Sequence, residues 1–180
     1  MSKKITSQLK ALDRSRRKML EITQQYSHEQ LAFRPGDDKW SILDAINHLV
    51  MAEKGTHHFM ANKRDPERMP KELGWSHPLR VLAMRIVLRS PFKFKMPAKV
   101  SSPTTDKSLD QLTAEWQEIS VELSTFADSL RDASPKMPVF IHPFFGYFSI
   151  VSTLRFLHEH IEHHIKQVKR IIAAKDFPEK

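Results

Sequence analysis

The chain has 180 residues, with 29 Lys and Arg against 21 Asp and Glu, ten histidines and no cysteine. This length predicts a single domain over residues 1–180, and 40% hydrophobic with 28% charged residues is typical of a globular protein. The lack of cysteine excludes disulfides, thiolate zinc sites, iron–sulfur clusters and a cysteine nucleophile. The net charge of +8 favours an anionic partner, without distinguishing nucleic acid, a membrane surface and acidic small molecules.

The N-terminal segment is too charged for the apolar core of a signal peptide. No window approaches the roughly 18 apolar residues of a membrane span. The nearest, 81–88, is interrupted by Arg85. We therefore expect a cytoplasmic protein.

Apolar residues recur at three- and four-residue steps over long stretches, which predicts a mostly helical chain. The first predicted helix covers about 5–26, and Ser27 then heads a short turn that ends in a break of Arg, Pro, Gly and Asp residues. A second helix begins at Ser41 and should reach about Asn62. Ser41 is a good N-cap, and Asp44 three residues later forms an acidic capping box with it.

Six of the eleven prolines interrupt the stretch 66–106. The pattern there predicts one helix at about 79–88, followed by an extended crossover. A third long helix follows at about 108–130, and the proline-containing stretch 132–147 is a predicted loop. A serine caps a fourth long helix at about 149–174. Four long helices with a long middle connection predict an all-α four-helix bundle.

Histidines on the fourth helix indicate a metal site. At 100° per residue, His160 and His164 lie one turn apart at the edge of the apolar face, and Gln167 continues the same column. His163 falls on the outward side and His158 on the opposite flank from His160. Two imidazoles one turn apart can bind one metal ion, and a third ligand must come from another helix.

His48 on the second helix is the candidate third ligand, because small Ala45 and Ala52 leave room beside it. Three neutral imidazoles with an open position would suit Zn²⁺, Ni²⁺ or Fe²⁺. Glu162 stands where a zinc protease needs its second histidine, and the Glu-x-x-His motif of di-iron bundles is absent from this helix, so a single ion is expected. The alternative is that these histidines are hydrogen-bonded core side chains.

Motifs along the chain occur together in a recognisable order. They are Arg34-Pro35, Lys39-Trp40-Ser41-Ile42, Asn47-His48-Leu49, Glu53, His142-Pro143, Gly146 and His160-x-x-His163-His164-x-x-Gln167. From about Leu31 to Ile172 the chain thus resembles the DinB-like superfamily of four-helix metalloproteins. The resemblance implies an up-up-down-down bundle with a long crossover between helices two and three, and frequent homodimers. It also implies one divalent metal ion on His48, His160 and His164.

Characterised relatives in that superfamily include transferases and isomerases that use low-molecular-weight thiols, and others are labelled hydrolases. We therefore predict a metal-dependent enzyme, thiol-transferase-like or hydrolase-like, that acts on a small-molecule substrate. A thiol cosubstrate suits a chain that has no cysteine. The alternatives are a non-catalytic metal-binding protein of stress response or interaction, and nucleic-acid binding through the basic surface.

Glu53 falls inside the apolar stripe of the second helix, which makes it a candidate catalytic base or orienting group for a ligand histidine. The alternative is a buried salt bridge to an arginine of helix one or four. Asn47 points away from that stripe and is expected in solvent. We expect Trp40, Trp75 and Trp116 in the core or at helix contacts.

Two further groups of histidines and one basic stretch are the remaining candidates for a functional role. His57 and His58 are expected at the surface or a pocket rim, and the aromatic residues after His142 are expected to pack their loop onto the bundle, with pocket lining by His142 as the alternative. Residues 74–105 contain no acid. A solvated surface is expected there, with an anion-attracting rim, nucleic acid or membrane contact as alternatives. The basic residues are Arg80, Arg85, Arg89, Lys93, Lys95 and Lys99.

Overall fold

The computed structural model describes residues 3–63, 65, 67–90 and 104–179. The predicted extended crossover, with its three lysines, lies outside the described residues. Within them, no helix is both long and apolar enough to cross a membrane. The α-helices are α1 (Lys3–Thr23), α2 (His28–Ala32), α3 (Ile42–His58), α4 (His77–Arg89), α5 (Leu109–Ser129) and α6 (Ile150–Ile172), and the strands are β1 (Phe140–His142) and β2 (Gly146–Phe148).

The four predicted long helices are confirmed as α1, α3, α5 and α6 within a few residues at each end, and the mostly helical chain agrees with an all-α class. A five-residue π-helix, Phe59–Lys63, continues α3. The predicted turn after Ser27 is a short helix, α2, because Ser27 and Gln30 form a capping box. The predicted capping box of Ser41 and Asp44 is also confirmed.

Residue pairs between helices determine their relative directions. Ser15 contacts His158 and Lys18 contacts Glu162, so α1 runs parallel to α6. Ring contacts of Trp40 with His164 and of His48 with His160 show that α3 runs antiparallel to α6.

The α3–α5 pairs are Asp44 with Thr105 just before α5, Glu53 with Trp116, and His57 with Glu122, so these two helices are parallel. The order is therefore up-down-down-up, and the up-up-down-down order implied by the resemblance is wrong. The physical reason lies in where the connections begin and end. The long connection leaves the C-terminal end of α3, and Thr105 just before α5 lies beside Asp44 at the N-terminal end of α3, so α5 runs in the same direction as α3. The shorter connection through α2 joins antiparallel helices.

Helices α1 and α3 each pack against both α5 and α6, and their apolar faces form one core. Each long helix contributes fully buried side chains because its apolar residues repeat with the helical period. Among the largest are Leu12, Met19, Ile46, Leu49, Leu123, Leu154 and Leu157.

The predicted loop 132–147 contains a hairpin that periodicity did not reveal. Strands β1 and β2 pair antiparallel, with Phe140 opposite Phe148 and His142 opposite Gly146. Gly146 has a φ of 72°, a left-handed conformation that glycine adopts readily. Three-residue strands are too short to show an alternating pattern. As expected, aromatic residues of this segment pack onto the bundle, and Phe148 is fully buried.

Candidate metal centre

Three histidines from two helices converge on one point. The Nε2 atom of His160 lies 3.2 Å from Nε2 of His48 and 3.1 Å from Nε2 of His164. One nitrogen from each of the three rings lies within 4.8 Å of the others. The structure thus brings together the three residues that the spacing on α6 and the room beside His48 had suggested.

The side chain of Gln167 orients one of these rings. Its Oε1 lies 2.8 Å from Nδ1 of His164, and because a carbonyl oxygen only accepts, Nδ1 of His164 carries the proton. The Nε2 atom of that ring is then unprotonated and directs its lone pair toward His160. A hydrogen bond at the remote nitrogen is the usual way in which a metal-binding histidine is held in position.

Aromatic rings support the three imidazoles from both sides. Trp40 stacks on His164 at an interplanar angle of 1° and lies 4.9 Å from His48, between ring centroids. Phe156, one turn before His160, stacks on that ring at 5.4 Å. These contacts limit the rotation of each imidazole, so the nitrogen positions are largely set by packing.

The N-terminus of α3 is anchored close to the site. The Asp44 carboxylate accepts hydrogen bonds from the backbone N–H groups of Ser41 and Thr105 and pairs with Arg34 at 2.8 Å. Asp44 is completely buried, and a buried carboxylate requires such partners. His48 lies one helical turn after Asp44, so the contacts of Asp44 also fix the backbone position of His48.

All three histidines are neutral at pH 7. Burial, and secondarily the charge of His163, lower the pKa of His48 to about 4. Burial and the neighbouring imidazoles also hold the pKa of His160 and His164 well below the usual 6.5. Neutral imidazoles keep a free lone pair, which is the form that binds a metal ion.

The cluster fits a divalent ion. Around a tetrahedral zinc with Zn–N distances of about 2.0–2.1 Å, ligand nitrogens lie about 3.3 Å apart, close to the observed 3.1 and 3.2 Å. Nε2 of His160 carries either one proton or one lone pair, so at most one of its two short contacts can be a hydrogen bond. Within the described part of the chain the group contains histidines alone, which fits a single ion better than a carboxylate-bridged pair.

Glu53 faces a different part of the molecule. Its carboxylate accepts hydrogen bonds from Nε of Arg16 on α1, at 3.2 Å, and from the indole N–H of Trp116 on α5, at 2.9 Å. Glu53 and Trp116 are 1% and 2% exposed. Of the two interpretations of Glu53, these contacts match the buried salt bridge to an arginine of helix one.

Asn47 and Trp75 differ from their expected exposure. Asn47 is buried, not solvated, because the chain before α5 (104–107) lies beside that face of α3. Trp75 is 87% exposed and lies outside the core, because α4 docks through a face containing Val81 and Met84. Trp40 and Trp116 make the expected packing contacts.

The remaining histidines lie around the centre. His163 does not face solvent: its Nδ1 donates to the carbonyl oxygen of Leu88, at 2.8 Å, because α4 covers that side of α6. His158 faces α1 and contacts Ser15 at 2.7 Å. His57 is half-buried beside Glu122 and His58 is exposed, close to expectation.

His142 is buried at the turn of the hairpin. Its Nδ1 accepts hydrogen bonds from the backbone N–H groups of Phe144 and Phe145, at 3.1 and 3.3 Å. Its ring lies edge-on to Phe156 at 4.6 Å, so it supports the aromatic ring that stacks on His160. Burial lowers the pKa of His142 to about 4.

The sequence interpretation missed Phe156 and the position of Trp40 against the imidazoles. Phe156 precedes His160 by four residues, a spacing that places them on one face of α6, and that signal was present in the sequence. The contact of Trp40 with α6 depends on how α3 and α6 pack, which no local pattern shows.

Comparison with known protein families identifies the superfamily of this chain. None of the curated proteins compared with the chain matches it. The sequence profile of the DinB superfamily matches residues 11–168, which include α3, α5, the hairpin and all three converging histidines. The chain therefore belongs to the DinB superfamily.

Proposed function

We propose that the protein binds one divalent metal ion through His48, His160 and His164 and is a metal-dependent enzyme acting on a small molecule. The observation that carries this proposal is the convergence of three neutral imidazole nitrogens, with Nε2 of His160 at 3.1 and 3.2 Å from the other two. Membership of the DinB superfamily supports it.

The chain's own residues would have separate tasks. His48, His160 and His164 would hold the ion, and Gln167 would keep the His164 ring in the required tautomer. Trp40 and Phe156 would keep the rings in place. A bound divalent ion would polarise a carbonyl group, lower the pKa of a bound water to about 7, or hold a substrate thiolate.

The number of protein ligands favours catalysis over a purely structural metal. Structural zinc sites usually have four protein ligands, whereas catalytic sites have three and keep the fourth position for water or substrate. Within the described residues, the group that could hold an ion consists of His48, His160 and His164. A small substrate would bind at the fourth position.

The donor set supports one reaction class over another. Glu53 is held by Arg16 and Trp116, and within the described residues the histidine group includes no carboxylate. A divalent ion bound there would stabilise the thiolate form of an external thiol, whose proton would pass to water, so we propose a transferase that uses a low-molecular-weight thiol. Hydrolysis by a bound water is the second candidate.

Metal analysis tests the binding site. The protein, purified without a metal-affinity step, should contain about one equivalent of a divalent ion by inductively coupled plasma mass spectrometry. The H160A/H164A double variant should contain almost none, and the H57A/H58A variant is the matched control that should retain the ion. Equal, substoichiometric metal in all three proteins would refute the site.

Cobalt substitution tests the thiol role. With Co²⁺ in the site, glutathione or cysteine should produce a sulfur-to-cobalt charge-transfer band in the near ultraviolet, and the H160A/H164A variant should give none. A loaded protein that shows no band but hydrolyses simple esters would favour the hydrolase candidate. A loaded protein with neither property would support a non-catalytic metal-binding protein.

A further inference from the structure

Helix α4 is attached to α6 by polar contacts along one flank. The carboxylate of Glu159 accepts hydrogen bonds from Nε of Arg85 at 3.0 Å and from Nη2 of Arg89 at 2.7 Å. At the start of α4, His77 contacts the hydroxyl of Ser152 at 3.0 Å. Since Glu159 is 5% exposed, these contacts are built into the interface and fix which side of α4 points outward.

The outward side of α4 is apolar. Leu79, Leu82 and Ile86, at steps of three and four residues, are 59%, 51% and 61% exposed. Trp75 lies just before the helix and is 87% exposed. These four side chains form what we call the α4 face. A cluster of large exposed apolar residues on one helix is typical of a surface that binds another protein or a membrane.

A cationic cleft borders the α4 face. It encloses about 250 Å³ between α4 and the first turn of α6, and Leu82 of the face is one of its walls, together with Arg85 and Arg155. Among the described residues, the side chain of Arg155 makes no ion pair or hydrogen bond. Arg80 is exposed nearby, and the Glu159 carboxylate is already paired with Arg85 and Arg89.

We propose that the α4 face docks on the surface of an anionic lipid bilayer. Leu79, Leu82 and Ile86 enter the boundary between headgroups and acyl chains, and Trp75 lies at the level of the headgroups, where indole rings are favoured. Arg155, in the cleft beside Leu82, contacts lipid phosphate. An amphipathic helix with basic residues beside an apolar stripe has the composition that binds such surfaces.

Charge complementarity selects the bilayer over other occupants. Residues 74–105 contain no acidic residue, so a second copy docked by two-fold symmetry would place one cationic surface against another. Nucleic acid would use the arginines but would leave the apolar side chains in water. An anionic bilayer offers phosphate groups to the basic residues and an apolar interior to the exposed apolar side chains.

Vesicle sedimentation tests the proposal with the full chain. At about 0.1 M salt the protein should sediment with vesicles of 70% phosphatidylcholine and 30% phosphatidylserine, and only weakly with phosphatidylcholine alone. The I86D variant should lower the partition coefficient about tenfold. Val121 on α5 is 63% exposed, so V121D is the matched control that should bind like the wild type.

A second pair of variants tests the contact between Arg155 and lipid phosphate. R155Q should lower the partition coefficient about fivefold, while R17Q, on the exposed side of α1, should leave it unchanged. All variants should retain the wild-type metal content and circular dichroism spectrum, which separates this proposal from that of the metal site. On binding, Trp75 emission should shift to shorter wavelength, and the W75F variant should lose that shift.

Four results would overturn the proposal. They are equal binding to vesicles with and without phosphatidylserine, an equal loss of binding in V121D, and a wild-type dimer that I86D converts to a monomer by light scattering. The fourth is salt-dependent binding to duplex DNA that R155Q abolishes and I86D leaves intact, without vesicle binding.

Discussion

The indole of Trp40 lies parallel to the imidazole of His164, with ring centroids 5.7 Å apart and an angle of 1° between the planes. Trp40 immediately precedes Ser41, the N-cap of α3, and also lies 4.9 Å from the His48 ring. One side chain therefore supports two of the three converging imidazoles, one on α3, which begins just after Trp40, and one on α6. The start of α3 and the histidine cluster are therefore packed together.

Replacing this indole should loosen the site without removing a ligand. We expect W40L to raise the dissociation constant for Zn²⁺ about tenfold, because His164 and His48 gain rotational freedom that metal binding must then remove. Competition with a chromophoric chelator measures the change. W75L is the matched control, since Trp75 is 87% exposed, and its affinity should equal that of the wild type. Unchanged affinity in W40L would mean that the indole does not position the ligands.

Gln167 should act through His164. The Q167L variant removes the acceptor for Nδ1–H and should lower metal affinity by about 10–100-fold. Q167E restores an acceptor and should recover most of the affinity. Isothermal titration with Zn²⁺ checks both proteins, and a Q167E affinity as low as that of Q167L would argue against orientation by this hydrogen bond.

Glu53 should be a stabilising residue and not a catalytic one. In E53Q the Arg16 guanidinium loses its buried counter-ion, which should cost about 3 kcal/mol in the free energy of unfolding. The control is E115Q, which breaks the more exposed pair with Lys107 and should cost less than about 1 kcal/mol. Urea denaturation measures both.

The metal content of E53Q should equal that of the wild type. A stable E53Q protein that binds metal and has lost its activity would instead show that Glu53 takes part in the reaction.

His142 should make stability depend on pH in the acid range. Burial lowers its pKa from 6.5 to about 4, and Nδ1 is engaged as an acceptor at the hairpin turn. Below pH 6.5 the unfolded chain binds a proton that the folded chain takes up only near pH 4, so stability falls as the pH falls through this window. The loss is about 3 kcal/mol at most.

The variant H142N tests that assignment. Asparagine Oδ1 can accept the same backbone N–H groups that Nδ1 accepts, but it does not titrate. Its urea midpoint should therefore decline less than that of the wild type between pH 6.5 and pH 4. Parallel pH profiles for the two proteins would show that His142 does not contribute.

Much of the fold could be predicted from the sequence, because a helix is specified by residues that are close together in the chain. The 3.6-residue period and serine caps placed four long helices within a few residues, and Ser41 with Asp44 marked the start of α3 correctly. The hairpin was missed because two three-residue strands carry no usable period. The up-down-down-up order was missed because the direction of one helix relative to another is not a local property.

The candidate site likewise has a part that is local to one helix and a part that depends on how the helices pack. Residues on one helix, His160, His164 and Gln167, could be grouped by their angles alone, because a rigid helix fixes their relative directions. The position of Glu53 inside an apolar stripe correctly predicted that its carboxylate has a buried partner. Whether that partner would be a ligand histidine or Arg16 depended on which helix packs against α3, and only the packed structure decides this.

The composition and spacing by themselves determined a mostly helical chain without cysteine, and they predicted a histidine-based site for a single ion. Only the tertiary structure decided that His48 reaches His160, that Trp40 covers His164, and that α4 turns its apolar residues outward. The physical reason is that hydrogen bonding within a helix specifies neighbours three and four residues apart. Contacts between helices depend on the packing of the whole core.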